Sequence, residues 1–246
     1  GMRRIQEAFD KAIERGKATP ESRDAGLARL TSAASAPEAA QEADLVIEAV
    51  PERLELKQSI FRDLERSMAP TAILGSNTSS LSITRIAEGL SHQERVVGLH
   101  FFNPVPVMKL LEIVRGERTS DNVVDAARAF ATSLGKTPIV VRDSPGFATS
   151  RLGVVLGLEA IRMLEQGVAS AEDIDRAMEL GYNHPMGPLR LTDVVGLDVR
   201  LAIAEHLHAT LRDDTYEPPA LLRRLVSEGK LGKKSGQGFY SWEKHR

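Results

Sequence analysis

The sequence predicts an α/β fold: a mainly parallel sheet with helices over residues 1–147, followed by an all-α domain over residues 148–246. Three observations predict it. Short, largely apolar runs without strict alternation recur as far as residue 141, the texture of strands covered on both faces. Helical patterns separate several of these runs, which implies βαβ units. After "DSPGF" (Asp143–Phe147) the strand signal stops, and everything downstream has helical periodicity.

The chain opens inside a helix, with Ile5, Ala8, Phe9, Ala12 and Ile13 at i, i+3, i+4, i+7 and i+8 and charged residues on the other face. Thr19 reads as an N-cap and Pro20 as the first helical position of a second helix running to about Leu30. The strand candidates are "DLVIEAV" (Asp44–Val50), "AILGS" (Ala72–Ser76), "RVVGLHF" (Arg95–Phe101), "LLEIV" (Leu110–Val114) and "TPIVV" (Thr137–Val141). Between them, Leu56, Ile60, Phe61, Leu64 and Met68 mark one helix, Ser82 caps another over Ile83–Leu90, and Ser120 caps a third that ends at Gly135. Downstream, Leu152, Val155, Leu156, Ala160 and Met163 form a stripe. Ser170 with Asp173 resembles a capping box, Gly181 ends that helix, and "NHPMGPL" (Asn183–Leu189) is a stop followed by a proline-started helix.

With 246 residues the chain is long enough for a substantial core. A net charge of −2 argues against a nucleic-acid partner, which calls for a basic surplus. No cysteine is present, so disulfides, thiolate nucleophiles and Cys-based metal sites are excluded, and a reducing cytoplasm fits. No run approaches the roughly 20 apolar residues that span a bilayer, so no membrane partner is expected. Small-molecule chemistry is the expectation that remains.

His100 ends an apolar run. On its own it is a hydrogen-bonded core residue, but in open parallel sheets the carboxyl ends of strands border the ligand crevice. Glu112 lies within "LLEIV", where a carboxylate is costly to bury unpartnered. An imidazole donating one ring N–H to it satisfies both groups and readies the other nitrogen to take a proton. The alternative is a Glu112 exposed on an edge strand. Asn77, Ser79 and Ser80 follow a strand, as does Asn103; each is a candidate site residue and equally a turn former. Glu52 and Lys57 follow "DLVIEAV" and sit at the same sheet edge, or form a solvated pair on a helix's first turns. His184, His206 and His208 read as capping or surface residues.

Six segments in order, "DLVIEAVPERLELKQSIFRDLE", "SNTSSLSITRIAE", "GLHFFNPVPVMKLLEIV", "DSPGF", "HPMGPLRLTDVVGLD" and "GKLGKKSGQGFYSW", closely resemble the NAD-dependent L-3-hydroxyacyl-CoA dehydrogenases, including the bacterial 3-hydroxybutyryl-CoA enzymes. The resemblance implies a Rossmann-like first domain, NAD as cofactor, an acyl-CoA substrate, a place in fatty acid metabolism, and a homodimer through the C-terminal helices. It implies that His100 is the base that removes the 3-hydroxyl proton and Glu112 its orienting partner. Ser79 and Asn103 match catalytic residues that contact substrate and the nicotinamide. Glu52, Lys57 and Lys234 match cofactor contacts, and Arg15 or Lys17 a basic residue near the coenzyme A end.

Two departures stand out. Where the family has an asparagine just before the arginine that follows "DSPGF", this chain has Ser150 before Arg151, which removes an amide from the substrate side. No G-x-G-x-x-G occurs in the 246 residues, so the first strand, glycine turn and first helix that hold the pyrophosphate are expected to precede Gly1. Without them the strand of "DLVIEAV" is expected to be unpaired in mid-sheet. A fragment or wrong start, replacement by another chain, or a partly collapsed domain would each account for the missing strand. Two functions follow from different classes: a dehydrogenase, or a truncated, non-catalytic homologue serving dimerisation or acyl-CoA binding.

Overall fold

The computed structural model describes residues 1–243. In chain order the elements are α1 (Met2–Glu14), α2 (Pro20–Leu27), α3 (Ala36–Ala40), β1 (Leu45–Glu48), α4 (Leu54–Ser67), β2 (Ile73–Ser76), α5 (Ile83–Ala87), β3 (Val96–Phe101), β4 (Leu110–Arg115), α6 (Asp121–Ser133) and β5 (Thr137–Arg142). The helical part follows: α7 (Thr149–Glu165), α8 (Ala171–Gly181), α9 (Pro188–Val195), α10 (Leu197–Leu211) and α11 (Ala220–Ser227).

The five strands form one continuous sheet in the order β1-β2-β3-β4-β5. β1, β2 and β3 are parallel, β4 runs antiparallel to β3, and β5 is parallel to β4. The sheet is therefore mainly parallel, as predicted, with one reversal where a short connection of 102–109 leaves no room for a crossover helix. β1 is paired on one side only, with β2, so it stands at the edge of the sheet, and the sheet beyond it is unbroken rather than collapsed.

Cap residues set the helix starts where the sequence placed them. Thr19 accepts from the Ser22 amide, Ser82 from Arg85, Ser120 from Val123 and Ser170 from Asp173. Two helices are shorter than expected. α2 stops at Leu27, and α5 is a single turn because Glu88 leaves the helix before Gly89, whose φ of +83° suits only glycine. The five-residue α3, capped by Ser35, has too little periodicity to be read from sequence.

One face of the sheet buries Leu74, Val96 and Val114 against Phe61 and Leu64 of α4 and Ile83 and Ile86 of α5. The other buries Val97, Leu99, Leu111 and Ile113 against Val123, Ala127 and Ala131 of α6. Each Val, Leu, Ile or Phe among them contributes about 1.5–3 kcal/mol when fully buried. Gly98 allows β3 and β4 this closeness, since a Cβ there would stand 2.6 Å from that of Val114. A separate core in the helical part gathers Val154, Leu158 and Ile161 of α7 with Leu197, Ala204 and Leu207 of α10.

Candidate active site

His100 and Glu112 are direct cross-strand partners in the antiparallel β3–β4 pair, so the pleat directs both side chains to the same face. His100 Nδ1 and Glu112 Oε2 lie 2.9 Å apart, and both residues are buried. The edge-strand alternative for Glu112 is excluded by its zero exposure.

Three more donors converge on the same carboxylate from the start of α7. Oε1 accepts the N–H groups of Ala148 (2.9 Å) and Thr149 (3.1 Å), and Oε2 accepts the Thr149 hydroxyl (2.8 Å). Ala148, at the N-cap of α7, has no side-chain oxygen, so Glu112 caps that helix from a distant strand and meets the positive end of its dipole. Burial pushes the Glu112 carboxyl up, but the hydrogen bonds from His100, Thr149 and the two amides outweigh it and hold the group below its ordinary range.

An ionised carboxylate is an acceptor only. Facing it, His100 Nδ1 is the donor, and in the neutral ring that leaves Nε2 with the lone pair. Among the described residues Nε2 has no hydrogen-bond partner. The ring is held by Phe102 at a centroid distance of 4.4 Å and by Phe147 at 5.9 Å. Phe147 takes φ +49° after Gly146 at +73°, the turn that lets "DSPGF" double back into α7.

The loop after β2 is shaped by a second buried network. Lys57 Nζ lies 2.7 Å from Glu48 Oε1, 3.2 Å from Glu52 Oε2 and 3.3 Å from the Val50 carbonyl. Glu48 also accepts the Ser76 hydroxyl at 2.7 Å. Glu52 in turn accepts from the Thr78 hydroxyl and from the amides of Ser79 (3.0 Å) and Ser80 (3.2 Å). Burial raises the Glu52 carboxyl, and Thr78, Lys57 and the Ser79 amide bring it below its usual value. The Glu52–Lys57 pair is thus solvated on one side only: Lys57 is 1 % exposed and spends its charge inside the fold, while Glu52 keeps 38 % of its side chain exposed. Asn77 ties this loop to β3, its Oδ1 accepting the Phe101 amide at 2.9 Å.

Of the residues singled out in sequence, His100 pairs with Glu112 and Ser150 with Ser79, the two pairs joined through the start of α7, where Thr149 bonds Glu112. Ser150, on the first turn of α7 beside Thr149, places Oγ 3.5 Å from the Ser79 carbonyl, at the limit of a hydrogen bond. Asn103 is exposed in the turn after Phe102. Lys234 pairs with Asp198 at 2.5 Å, its loop anchored by Asp193, which accepts the amides of Phe239 and Tyr240 and the Trp242 indole N–H. Arg15 and Lys17 are exposed past the end of α1, which packs on α2 through the Phe9 ring over Gly26. Neither has a polar contact with the dyad. His206, read as a surface residue, is half-buried and lines two clefts between the sheet and α10, of about 250 and 390 Å³. Ser80 borders both, and Glu52 and Ser79 the larger.

Sequence reading missed Thr149, Glu48 and Thr78. An acid inside the apolar run of β1 was a usable signal for Glu48; Thr149 carried none, since a small polar residue at a helix start is ordinary.

The chain is similar to known proteins over nearly its whole length. The family model "3-hydroxyacyl-CoA dehydrogenase, NAD binding domain" matches residues 1–144, and "3-hydroxyacyl-CoA dehydrogenase, C-terminal domain" matches residues 146–242. A probable 3-hydroxybutyryl-CoA dehydrogenase of Bacillus subtilis is 46% identical over 243 residues, 99% of this chain and 84% of the relative. Among solved structures, FadB2 of M. tuberculosis superposes with a TM-score of 0.93 at 43% identity, over 99% of this chain and 86% of that one. The (S)-3-hydroxybutyryl-CoA dehydrogenase of Ralstonia eutropha does so with 0.91 at 42%, over 97% and 84%.

Proposed function

The chain belongs to the 3-hydroxyacyl-CoA dehydrogenase family, and on that premise we propose that it interconverts (S)-3-hydroxyacyl-CoA and 3-oxoacyl-CoA with NAD, His100 serving as the base. The observation that carries the reading is the buried His100–Glu112 pair with Nε2 unpartnered. NAD, when bound, takes up or returns the hydride of the substrate's C3. In the oxidative direction His100 Nε2 removes the 3-hydroxyl proton, and Glu112 stabilises the imidazolium that results. A positioned base of this kind contributes roughly 10²–10⁴-fold. The relatives lend no support to the alternative of a non-catalytic module.

The residues fit the nicotinamide end of the cofactor, with Ser79 and Asn103 exposed polar groups on the two loops flanking His100. Glu52 and Lys57 act on it through the loop they hold. Lys234 and Arg15 are assigned to the outer ends of NAD and coenzyme A, and Ser150 to the acyl thioester. The pyrophosphate is a different case. The chain has no G-x-G-x-x-G, and β1 is a bare edge whose Leu45, Val46 and Ile47 are only half-buried, so we read its cradle as lying outside these residues. We read the two domains as meeting at residue 147. The C-terminal helices form a homodimer in this reading, for which exposed Leu191, Val194 and Val195 on α9 are the support. The absence of cysteine supports a cytoplasmic setting.

The test is the initial rate of NADH oxidation with acetoacetyl-CoA. It is run on this chain and on the same chain carrying an N-terminal strand–helix–strand extension with a G-x-G-x-x-G turn. Turnover is expected in the extended protein, and His100→Gln is expected to lower kcat roughly 10²–10⁴-fold. A His100→Gln variant with undiminished turnover overturns the base assignment.

A further inference from the structure

Residues 102–109 join β3 to β4, and every residue from Asn103 to Lys109 is exposed, so no core packing fixes their path. The loop has one turn of its own, in which the Pro104 carbonyl accepts the amides of Val107 (2.9 Å) and Met108 (3.0 Å). Among the described residues, every hydrogen bond that leaves the loop goes to Lys136 or Thr137. Lys136 Nζ donates to the carbonyls of Val105 at 2.7 Å and Met108 at 2.8 Å, and the Thr137 amide donates to that of Lys109 at 2.7 Å. The same ammonium stands 5.7 Å from the centre of the Phe101 ring, within reach of a cation–π contact.

Lys136 is half-buried, and its hydrogen bonds go to backbone oxygens rather than to a carboxylate. Its own backbone is closely fixed. The Gly135 amide donates to the Thr132 carbonyl and the Lys136 amide to that of Ala131, the paired bonds that close a helix through a left-handed residue, here Gly135 at φ +68°. β5 begins at the next residue. A side chain rooted between a closed helix end and a strand thus grips a loop that has no core of its own. That loop starts at the dyad. Phe102, its first residue, packs on the His100 ring at 4.4 Å, and the second ring against His100, Phe147, is held separately by the turn into α7.

We propose that Lys136 is a positioning residue for the reaction: by holding the Val105 and Met108 carbonyls it fixes residues 102–109, and through them keeps Phe102 on the His100 ring. The inference rests on the dehydrogenase reading above. It gives Lys136 no contact with substrate or cofactor. Moving a reacting group by about 1 Å can lower a rate roughly a hundred-fold, so two charge-assisted hydrogen bonds on the loop beside the base are enough to matter.

The experiment pairs Lys136→Met, which keeps the stem and removes the donors, with Lys136→Arg, which keeps charge and donors. Lys109→Met is the control, because it removes the same charge from the loop itself, where the side chain makes no hydrogen bond or ion pair among the described residues. Amide exchange is measured on this chain, and kcat and KM with acetoacetyl-CoA and NADH in the extended protein. Lys136→Met is expected to speed exchange at Val107 and Met108 and to lower kcat roughly ten- to a hundred-fold, with KM for acetoacetyl-CoA within about two-fold. Lys136→Arg should recover part of the loss, and Lys109→Met should match the parent. Undiminished kcat in Lys136→Met overturns the proposal, as does unchanged exchange at Val107 and Met108. So does an equal loss in Lys109→Met or a rise in KM alone, either of which would make the lysine an attractor of anionic substrates, and so does a Lys136→Arg variant no better than Lys136→Met. Faster exchange spread across β4 and β5 would assign Lys136 to the sheet instead and likewise overturn it. If the parent itself is not turned over, the dehydrogenase reading fails, while the exchange comparison still decides whether Lys136 holds the loop.

Discussion

Replacing Glu112 by glutamine tests how one carboxylate serves both the histidine and the helix. The carboxylate offers two oxygens, each accepting two hydrogen bonds: Oε1 from the Ala148 and Thr149 amides, Oε2 from His100 Nδ1 and the Thr149 hydroxyl. An amide has one oxygen and one NH2. If its oxygen faces α7, the NH2 confronts His100 and Thr149, and the imidazole must turn its lone pair inward and its proton toward substrate. If its oxygen faces His100, two backbone N–H groups lose their acceptor at the start of α7. Either way at least one buried donor is stranded, at about 1–3 kcal/mol each, and the charge that met the helix dipole is lost, about a further 0.5–1 kcal/mol. The sum is roughly 2–4 kcal/mol, which for a chain of this size lowers Tm by about 4–16 °C. In the first orientation the wrong tautomer removes the base, and in the second the neutral amide no longer stabilises the imidazolium. So kcat with acetoacetyl-CoA and NADH should fall in the extended protein, by roughly 10²–10⁴-fold where the base is lost. Thermal unfolding and initial rates measure the two effects. A variant that melts within about 1 °C of the parent and turns over within two-fold would refute the four-bond account.

Two further outcomes follow from the same networks. The carboxyls of Glu112 and Glu52 are both held below their ordinary values, so their contribution to stability is present above the unfolded-state pKa of about 4.3 and is lost as pH falls through the lower folded-state values. Tm should be level from neutral pH down to about 5 and then drop, and Glu112→Gln should flatten the drop; an equally steep acid limb in the variant would remove Glu112 from this role. Lys57→Met strands the buried Glu48 carboxylate and should cost about 3–5 kcal/mol, whereas adding Glu48→Gln to it should recover part of the loss. Denaturant unfolding of the single and double variants gives the coupling, and strictly additive losses would contradict a shared network.

The legible part of this protein is the part encoded over short distances. Thr19, Ser82, Ser120 and Ser170 cap helices because a side-chain oxygen reaches an amide two or three residues on, a relation fully contained in the local sequence. The five strands were visible because burial on both faces requires continuous apolar runs. His100 drew notice for its place at a strand end, and Glu112 for a charge among apolar neighbours. Glu52 and Lys57 were seen as a pair, yet nothing in the sequence tells that the fold encloses the lysine and leaves the glutamate partly exposed.

Local sequence is enough for the α/β-then-α order, the helix starts and the residue types of the dyad, since each is written within a turn or along one strand. Tertiary structure alone decided the reversal of β4, which sets Glu112 opposite His100, and the docking of α7, which brings Ala148 and Thr149 to the same carboxylate from 36 and 37 residues away. It alone decided that Lys57 is enclosed. The physical reason is that hydrogen bonding and desolvation of a charged group depend on every element that closes around it, and those elements are far apart in the chain.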